Sequence, residues 1–476
     1  MSLILTNTQQ WCLDYEAASA KDKHLLMVEA LNNPIPSKAI EECDLGMLLV
    51  ELVDEMVSNN LISDALALME KVQRQQPELY AREFQYLDSL RVKYYLFSNQ
   101  PELLSDCLAQ FKNDPISSID QMMSSVVEYL RFYGATREIV DLCKSTYQPI
   151  KNSQEVLPGT EDELASVILI DLMEKVYWQL QQSESVDWDA FGDVAKQYVT
   201  EEPQLWIAEV RRNLTKEIEV NQQFFNDFKK EQKRDDNLRA LSLAFSRYMA
   251  VQKQVSFITS QRIWGSVFEF LSTRELPHNE LSYPDRFFTF SEETLDKHIA
   301  QLVGGLLSDG QVEAAAVLWG IPYVYDFLLN KQVIGQAVHQ QGIAVTNVLK
   351  PKMIESFDKY LWQLDFVHRW LPPDSVAEAD FTAEAALFSS SIEKVTPLAT
   401  EPGKGNLESF YNQFKDFDLN IPHEQESPFL PNPRLFEPPE IKPEKPPKKR
   451  KSPLMQAADL FDRNNSSKGK QKKKKR

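Results

Sequence analysis

The apolar side chains of the first 150 residues recur with a helical period. Two stretches, residues 48–56 and 61–72, each place apolar groups at the i, i+3, i+4 and i+7 spacing of an amphipathic helix. The polar tripeptide at residues 58–60 between them is a turn signal. The pattern therefore predicts a helical hairpin over residues 48–72.

The hairpin pattern repeats along the chain. The second helices of successive hairpins are predicted to begin near residues 61, 101 and 136, at intervals of about 35–40 residues. A single hairpin exposes an apolar face that it cannot bury alone, whereas stacking on the next hairpin buries that face. We therefore predict an all-α fold of stacked antiparallel helical hairpins, an α-solenoid, with a first repeat region over residues 1–155.

The first hairpin resembles a tetratricopeptide repeat (TPR). That family places apolar residues at fixed intervals on the first helix, a small residue on the second helix and a proline after it. The matching positions here are Leu49, Leu52, Val53, Met56, Ala65, Met69 and Pro77. The Trp, Gly, Tyr and Phe of the family pattern are replaced. The resemblance, clearest over residues 46–77, implies a TPR-like stack with a groove for a partner protein, and a hairpin stack of another family is the alternative.

Residues 156–371 continue the helical period and predict a second all-helical region, either continuous with the first or separate from it. Its predicted elements are a helix that starts at a capping box of Thr160 and Glu163, one long helix over residues 205–229, a helix capped by Ser291 and a last helix over residues 353–370. Residues 332–349 fit either a helix or an extended segment. No alternation of strands and helices is present, which argues against a parallel sheet.

The composition changes after residue 371. Residues 372–453 hold 14 of the 26 prolines of the chain, a density that prevents long helices and central strands. We therefore predict disorder from residue 372 onward, with an acidic Pro-rich linker over residues 372–440 and a basic tail over residues 441–476.

The net charge of −18 combines two opposed parts. Residues 441–476 contain 14 Lys and Arg against 3 Asp and Glu, whereas residues 1–440 contain 38 against 67. An acidic body repels nucleic acid and anionic membranes, and a basic tail attracts both. Contact with nucleic acid is therefore expected in the tail.

Two runs of cations in this tail are the candidate contact residues. They are Lys448, Lys449, Arg450, Lys451, Lys472, Lys473, Lys474, Lys475 and Arg476. Closely spaced cations bind phosphate-rich polymers by releasing counterions, without reading sequence. The first run also resembles a nuclear-localisation signal, which applies in a eukaryotic cell. The alternatives are a tail without a partner and a tail that folds back onto the acidic body of the same chain.

Two apolar stripes lie within the Pro-rich and basic parts. The first is a candidate docking segment formed by Leu407, Phe410, Tyr411, Phe414 and Phe417. The second contains Leu454, Ala457, Ala458 and Phe461. Stretches of about ten residues do not form stable helices alone. We expect both stripes to become ordered by docking on a partner or on the body of this chain.

The four cysteines indicate neither a metal site nor a redox motif. Cys12, Cys43, Cys107 and Cys143 have no CxxC spacing, and their neighbours are largely apolar. We expect four buried thiols in a reducing compartment.

The chain shows no signal-peptide pattern and no run of 18 mainly apolar residues. These observations predict an intracellular, cytoplasmic protein without a membrane span, or a nuclear one in a eukaryote.

Sequence motifs that carry chemistry are absent. There is no phosphate-binding glycine loop, no HExxH, no GxSxG and no EF-hand loop. Asp365 and His368 share a face of the predicted last helix, which favours a surface or interface hydrogen bond over a metal or acid–base site. The aromatic run over residues 287–290 lacks interleaved cations, so we assign it to the core. We expect no cofactor, no metal and no catalytic residue.

Three hypotheses of function follow. The first is a non-catalytic scaffold or adaptor that binds a partner protein through a helical-repeat groove and uses the polybasic tail for electrostatic attachment. The second is a nucleic-acid- or ribonucleoprotein-associated factor that binds through residues 441–476. The third is an enzyme with a site in residues 200–371, which a buried cluster of His, Asp and Glu would favour. The sequence specifies neither the partner nor the oligomeric state.

Overall fold

The computed structural model describes residues 4, 7–199, 202–274, 283–304 and 310–402. Every regular element within these residues is helical, which confirms the prediction of an all-α fold. The predictions for residues 403–476, including all nine candidate cations and both apolar docking stripes, lie outside the described residues.

Ten α-helices form the first part of the described chain. They are α1 (Thr8–Ala17), α2 (Ala20–Ala30), α3 (Ser37–Glu42), α4 (Leu45–Ser58), α5 (Ile62–Gln75), α6 (Pro77–Phe97), α7 (Leu104–Asn113), α8 (Ile119–Gln121), α9 (Val127–Phe132) and α10 (Thr136–Asn152). A π-helical turn, Met122–Val126, joins α8 to α9, and a 3-10 turn, Pro101–Leu103, precedes α7.

Eleven α-helices form the rest of the described chain. They are α11 (Thr160–Gln181), α12 (Trp188–Ala195), α13 (Pro203–Thr215), α14 (Gln222–Phe228), α15 (Glu231–Tyr248), α16 (Phe257–Thr273), α17 (Pro284–Phe288), α18 (Glu292–Val303), α19 (Gly310–Asn330), α20 (Gln336–Ser356) and α21 (Glu378–Ser390). A π-helical turn, Met249–Lys253, follows α15. Two 3-10 helices, Leu361–His368 and Ser391–Glu393, flank α21.

The predicted apolar stripes face the core. Their buried members on α4 and α5 are Leu49, Leu52, Val53, Met56, Ala65 and Met69. Helices α4, α5 and α7 pack against α6, and α10 packs against α7 and along α11. The aromatic side chains of Phe287, Phe288 and Phe290 are also buried, as predicted. Ser291 caps α18 as predicted, because its hydroxyl accepts a hydrogen bond from the Thr294 N–H.

The last described part of the chain returns to the first hairpin. The 3-10 helix Leu361–His368 packs against α6, α19 and α21. The buried Asn60 amide donates hydrogen bonds of 3.0–3.2 Å to three backbone carbonyls, those of Lys359, Ser391 and Lys394. Its oxygen accepts a hydrogen bond of 3.1 Å from Trp362 Nε1. One continuous set of buried apolar side chains therefore extends from Ile4 to Phe388.

Residues 372–402, which we call the strap, lie on the body. The prediction of disorder from residue 372 is wrong for this segment, because it contains α21 and the fully buried Phe388. At its far end, the Ala399 carbonyl accepts a hydrogen bond of 3.0 Å from the Lys21 N–H at the start of α2. The preceding 3-10 helix ends at His368 and two prolines follow at residues 372 and 373, but a new helix begins at Glu378.

The expectation of four thiols is wrong for two of the cysteines. Cys12 of α1 and Cys43, directly after α3, form a disulfide with their Cα atoms 5.7 Å apart. Cys107 and Cys143 are buried free thiols, as expected. Disulfides are uncommon in reducing compartments, and the compartment itself stays a prediction.

Some predicted helix boundaries are also wrong. The single helix expected over residues 205–229 is divided into α13 and α14, and the helix expected over 353–370 is divided between α20 and a 3-10 helix. Helix α11 starts at Thr160, but Thr160 and Glu163 do not form the predicted capping box. The N-cap residue is Gly159, whose φ of 99° is accessible to glycine, and no side chain caps the helix. For residues 332–349 the sequence fits either a helix or an extended segment. Residues 336–349 are helical in α20.

One helix of the described chain, α19, has the length and apolar composition of a membrane-spanning segment, so the expectation that no run of 18 mainly apolar residues occurs is wrong for residues 310–330. Most of its apolar window is buried inside the protein, where α19 packs against α16 and α20. A helix that is apolar on all sides is typical of a protein core as well as of a membrane span.

Candidate interaction cleft

A half-open cleft of about 510 Å³ lies among four separate parts of the chain. These parts are the turn between α9 and α10, the middle of α11, the residues from the π-helical turn into α16, and the residues after the 3-10 helix 361–368. Its aromatic and charged lining residues are Tyr133, Glu174, Trp178, Arg369 and Trp370. We call this site the cleft.

Two left-handed backbone positions shape the cleft. Gly134, with φ of 69°, reverses the chain between α9 and α10, and Gln254, with φ of 56°, ends the π-helical turn after α15. The hydroxyl of Thr259 in α16 donates a hydrogen bond of 2.6 Å to the Arg131 carbonyl of α9. These contacts hold the backbone segments that line the cleft next to each other.

Glu174 provides the carboxylate of the cleft. Its Oε2 accepts a hydrogen bond of 2.9 Å from the Phe257 N–H at the start of α16, and Trp178 also forms a hydrogen bond with it. A carboxylate at a helix N-terminus is favoured by the helix dipole. Burial nevertheless raises the pKa of Glu174 above its usual value, because the hydrogen bonds do not offset the loss of water.

Arg369 also lines the cleft and has its own partners. It forms an ion pair of 2.8 Å with Asp365, donates a hydrogen bond of 2.6 Å to the Phe97 carbonyl and lies 5.8 Å from the Tyr133 ring centre. The Asp365 carboxylate balances the guanidinium charge, so Glu174 sets the sign of the charge that the cleft presents.

A large apolar side chain is exposed at the cleft. Trp178 is 39% exposed, whereas the lining residues Ala250, Val255 and Trp370 are buried. A concave site lined by aromatic and apolar side chains with a few polar groups is typical of sites that bind other molecules. The arrangement suits a segment with one cationic and one apolar part.

A network of buried charges supports the helices around the cleft. Arg131 pairs with Glu128 at 2.7 Å and with Glu163 at 3.0 Å, and Arg262 pairs with Glu128 at 2.7 Å and with Glu313. Burial acts to raise the pKa of Glu128, but the two guanidiniums outweigh it and lower that pKa. The network connects α9, α11, α16 and α19.

A second group of ionisable side chains is buried beneath α21. His368 Nε2 lies 2.8 Å from Glu384 Oε1, and Trp319 Nε1 donates a hydrogen bond of 2.6 Å to the same oxygen. Lys350 Nζ lies 5.2 Å from the Trp319 ring centre, and burial lowers its pKa. The His368 side chain is only 2% exposed, so its contact with Glu384 lies between α21 and the body. These contacts therefore attach α21 to the body.

The sequence singled out Asp365 and His368 but not Glu174 or Trp178. Asp365 pairs with Arg369, and His368 with Glu384 of α21, so each has a structural partner of its own. Trp178 lies on α11, which carries apolar residues on all sides. That distribution was the available signal that one apolar side chain of α11 faces outward.

Within the described residues, no group of three or more His, Cys, Asp and Glu side chains is arranged to hold a metal ion.

No protein-family model, curated protein or solved structure matches the chain. The site is therefore interpreted from its own residues.

Proposed function

We propose that this chain is a non-catalytic interaction scaffold that binds a segment of a partner protein in the cleft and uses its basic tail for electrostatic attachment. The observation that supports the proposal is the combination of an exposed Trp178, further apolar lining residues and the Glu174 carboxylate in one concave site. A partner of amphipathic, basic character fits this chemistry.

The proposal includes a TPR-like stack over the first 155 residues. Helix α4 packs on α6, α6 packs on the π-turn and α9, and α7 packs on α10, so that helices two or three positions apart in the chain are neighbours. This order is expected when hairpins stack in sequence. Ala65 is fully buried, and its small side chain allows close approach of two helices.

A non-catalytic role is supported by how the reactive groups are engaged. His368 and Glu384 contact each other beneath α21, away from the cleft. In the cleft, the Ser256 and Thr259 hydroxyls lie 3.0 Å apart, and Thr259 donates to a backbone carbonyl. These hydroxyls therefore serve capping and backbone contacts, in contrast to a nucleophile beside a general base.

The test is an affinity capture from an extract of the source cell, with the full chain as bait at low and high salt, with and without nuclease. Trp178→Ala and Glu174→Gln should each reduce the retained protein partner about fivefold or more. Leu157→Ala changes an 81% exposed apolar residue outside the cleft and should have no effect. Equal retention by all of these baits would contradict the cleft as the contact.

A second candidate function is nucleic-acid binding through the tail, favoured by the excess of cations in residues 441–476. In the same capture, replacement of Lys448, Lys449, Arg450 and Lys451 by Gln would then remove the partners, as would nuclease. Partners that resist both treatments support the scaffold.

A further inference from the structure

The cleft and one part of the tail are complementary in both charge and apolar character. The cleft presents one carboxylate, Glu174, beside the exposed Trp178. Residues 448–451 are four consecutive cations, and Leu454 and Met455 follow them within four residues. A cationic run followed closely by apolar side chains matches a carboxylate next to an exposed indole.

We propose that residues 448–461 bind in the cleft of the same chain and thereby compete with other ligands for it. The cis contact stands on its own, and the competition rests on the function proposed above. A Lys or Arg of the cationic run contacts the Glu174 carboxylate and the Trp178 ring, and Leu454 contacts the apolar lining residues of the cleft.

Electrostatics favour a cation at this position. Glu174 receives hydrogen bonds from Phe257 N–H and Trp178, and the charge of the lining residue Arg369 is balanced by Asp365. A cation beside a half-buried carboxylate is screened by water less than one on the open surface. An ammonium or guanidinium over an indole face gains a further attraction.

The covalent connection is long enough for this contact. The strap ends on α2, and residue 448 follows residue 402 by 46 positions. A chain of that length spans up to about 150 Å. A compact body of the described size has a radius of gyration of about 21 Å, so residues 448–461 reach the cleft from any point of the surface. Covalent connection also raises the local concentration of the segment at the cleft.

The test measures the uptake of a fluorescent peptide of residues 445–464 by anisotropy at fixed moderate salt. The full chain is compared with the full chain that carries K448Q/K449Q/R450Q/K451Q. If the native segment occupies the cleft, the substituted chain has a free cleft and should bind the peptide about tenfold more tightly. Equal affinity of the two chains would overturn the proposal.

Matched substitutions locate the binding site. In the K448Q/K449Q/R450Q/K451Q chain, Glu174→Gln and Trp178→Ala should each weaken peptide binding about fivefold or more. Gln retains an oxygen that accepts from the Phe257 N–H, so the local fold is kept. Glu102→Gln and Leu157→Ala, at exposed positions outside the cleft, should leave binding unchanged. Equal losses at Glu102 and Glu174 would indicate general attraction to the acidic body and would overturn the proposal.

Sedimentation of the full chain over a hundredfold range of concentration separates cis from trans binding. A constant monomer mass supports the cis contact, and a mass that doubles with concentration would place the segment in a second copy and overturn it.

Failure of partner capture with intact peptide binding would reject only the function proposed above. Failure of peptide binding with capture that depends on Trp178 would reject only the present inference.

Discussion

At the scale of single residues, Asn60 joins the two ends of the described chain. Its amide bonds to backbone carbonyls of the 3-10 region and the strap, and to the indole of Trp362. In the sequence, Asn60 is part of a polar tripeptide that predicts a turn. That prediction is local, and it contains no information about partners about 300 positions away.

Asn60→Ala tests this contact. We expect the substitution to lower the free energy of unfolding by about 2–4 kcal/mol, because buried carbonyls and the Trp362 N–H lose their partner. Asn99→Ala is the matched control, since Asn99 has a similar φ, 55° against 57°, but is exposed. Urea denaturation of both variants measures the difference, and equal losses would show that only the left-handed backbone matters.

A buried carboxyl predicts a pH dependence of stability. Burial raises the pKa of Asp88 to about 6, although Tyr80 and Arg91 bond to it. The unfolded value is about 3.9, so the folded state binds this proton more tightly. The stabilising contribution is therefore complete below about pH 4 and is lost as the pH rises through about 6.

Asp88→Asn removes this titration. Relative to the variant, the unsubstituted chain should lose about 1–3 kcal/mol of unfolding free energy between pH 4 and pH 7. Urea denaturation at a series of pH values measures the loss, and Asp64→Asn, at an exposed position, is the control. A difference that stays constant with pH would contradict a raised pKa for Asp88.

At the scale of elements, the strap determines where the folded body ends. Removal of residues 372–476 would take Glu384 from His368 and Trp319, and two carbonyl acceptors from Asn60. We expect a 1–371 chain to lose at least about 3–5 kcal/mol of stability. A 1–402 chain should unfold within about 3 °C of the full chain, because the tenfold contact of the tail with the cleft contributes only about 1.4 kcal/mol. Calorimetry compares the three, and equal stability of 1–371 and 1–402 would contradict the role of the strap.

Helix type was predictable where helical periodicity and a cap coincide, and helix ends were predictable only in part. Ser291 marks a start that the structure confirms. The break between α13 and α14 has no counterpart in the apolar period, which continues across it. The sequence wrongly predicts disorder for the strap, because proline density describes composition, whereas α21 is held by a few contacts such as those of Phe388 and Glu384.

At the scale of the whole molecule, the all-α class follows from the sequence, but the cleft does not. Its lining comes from four parts of the chain that are up to about 240 residues apart, and no local pattern reports such a meeting. The disulfide between Cys12 and Cys43 is likewise not predictable from a local pattern, because the three-dimensional path of α1 to α3 brings the two residues together. Charge asymmetry, by contrast, is a property of composition and was available from the start.

Hydrogen exchange of the full chain with and without its captured protein partner tests most directly whether the cleft is the contact surface. We expect slower exchange of backbone amides around residues 174–178 and 250–256 in the complex, and unchanged exchange on α1 and α2. Protection confined to other surfaces, with unchanged exchange at the cleft, would contradict it.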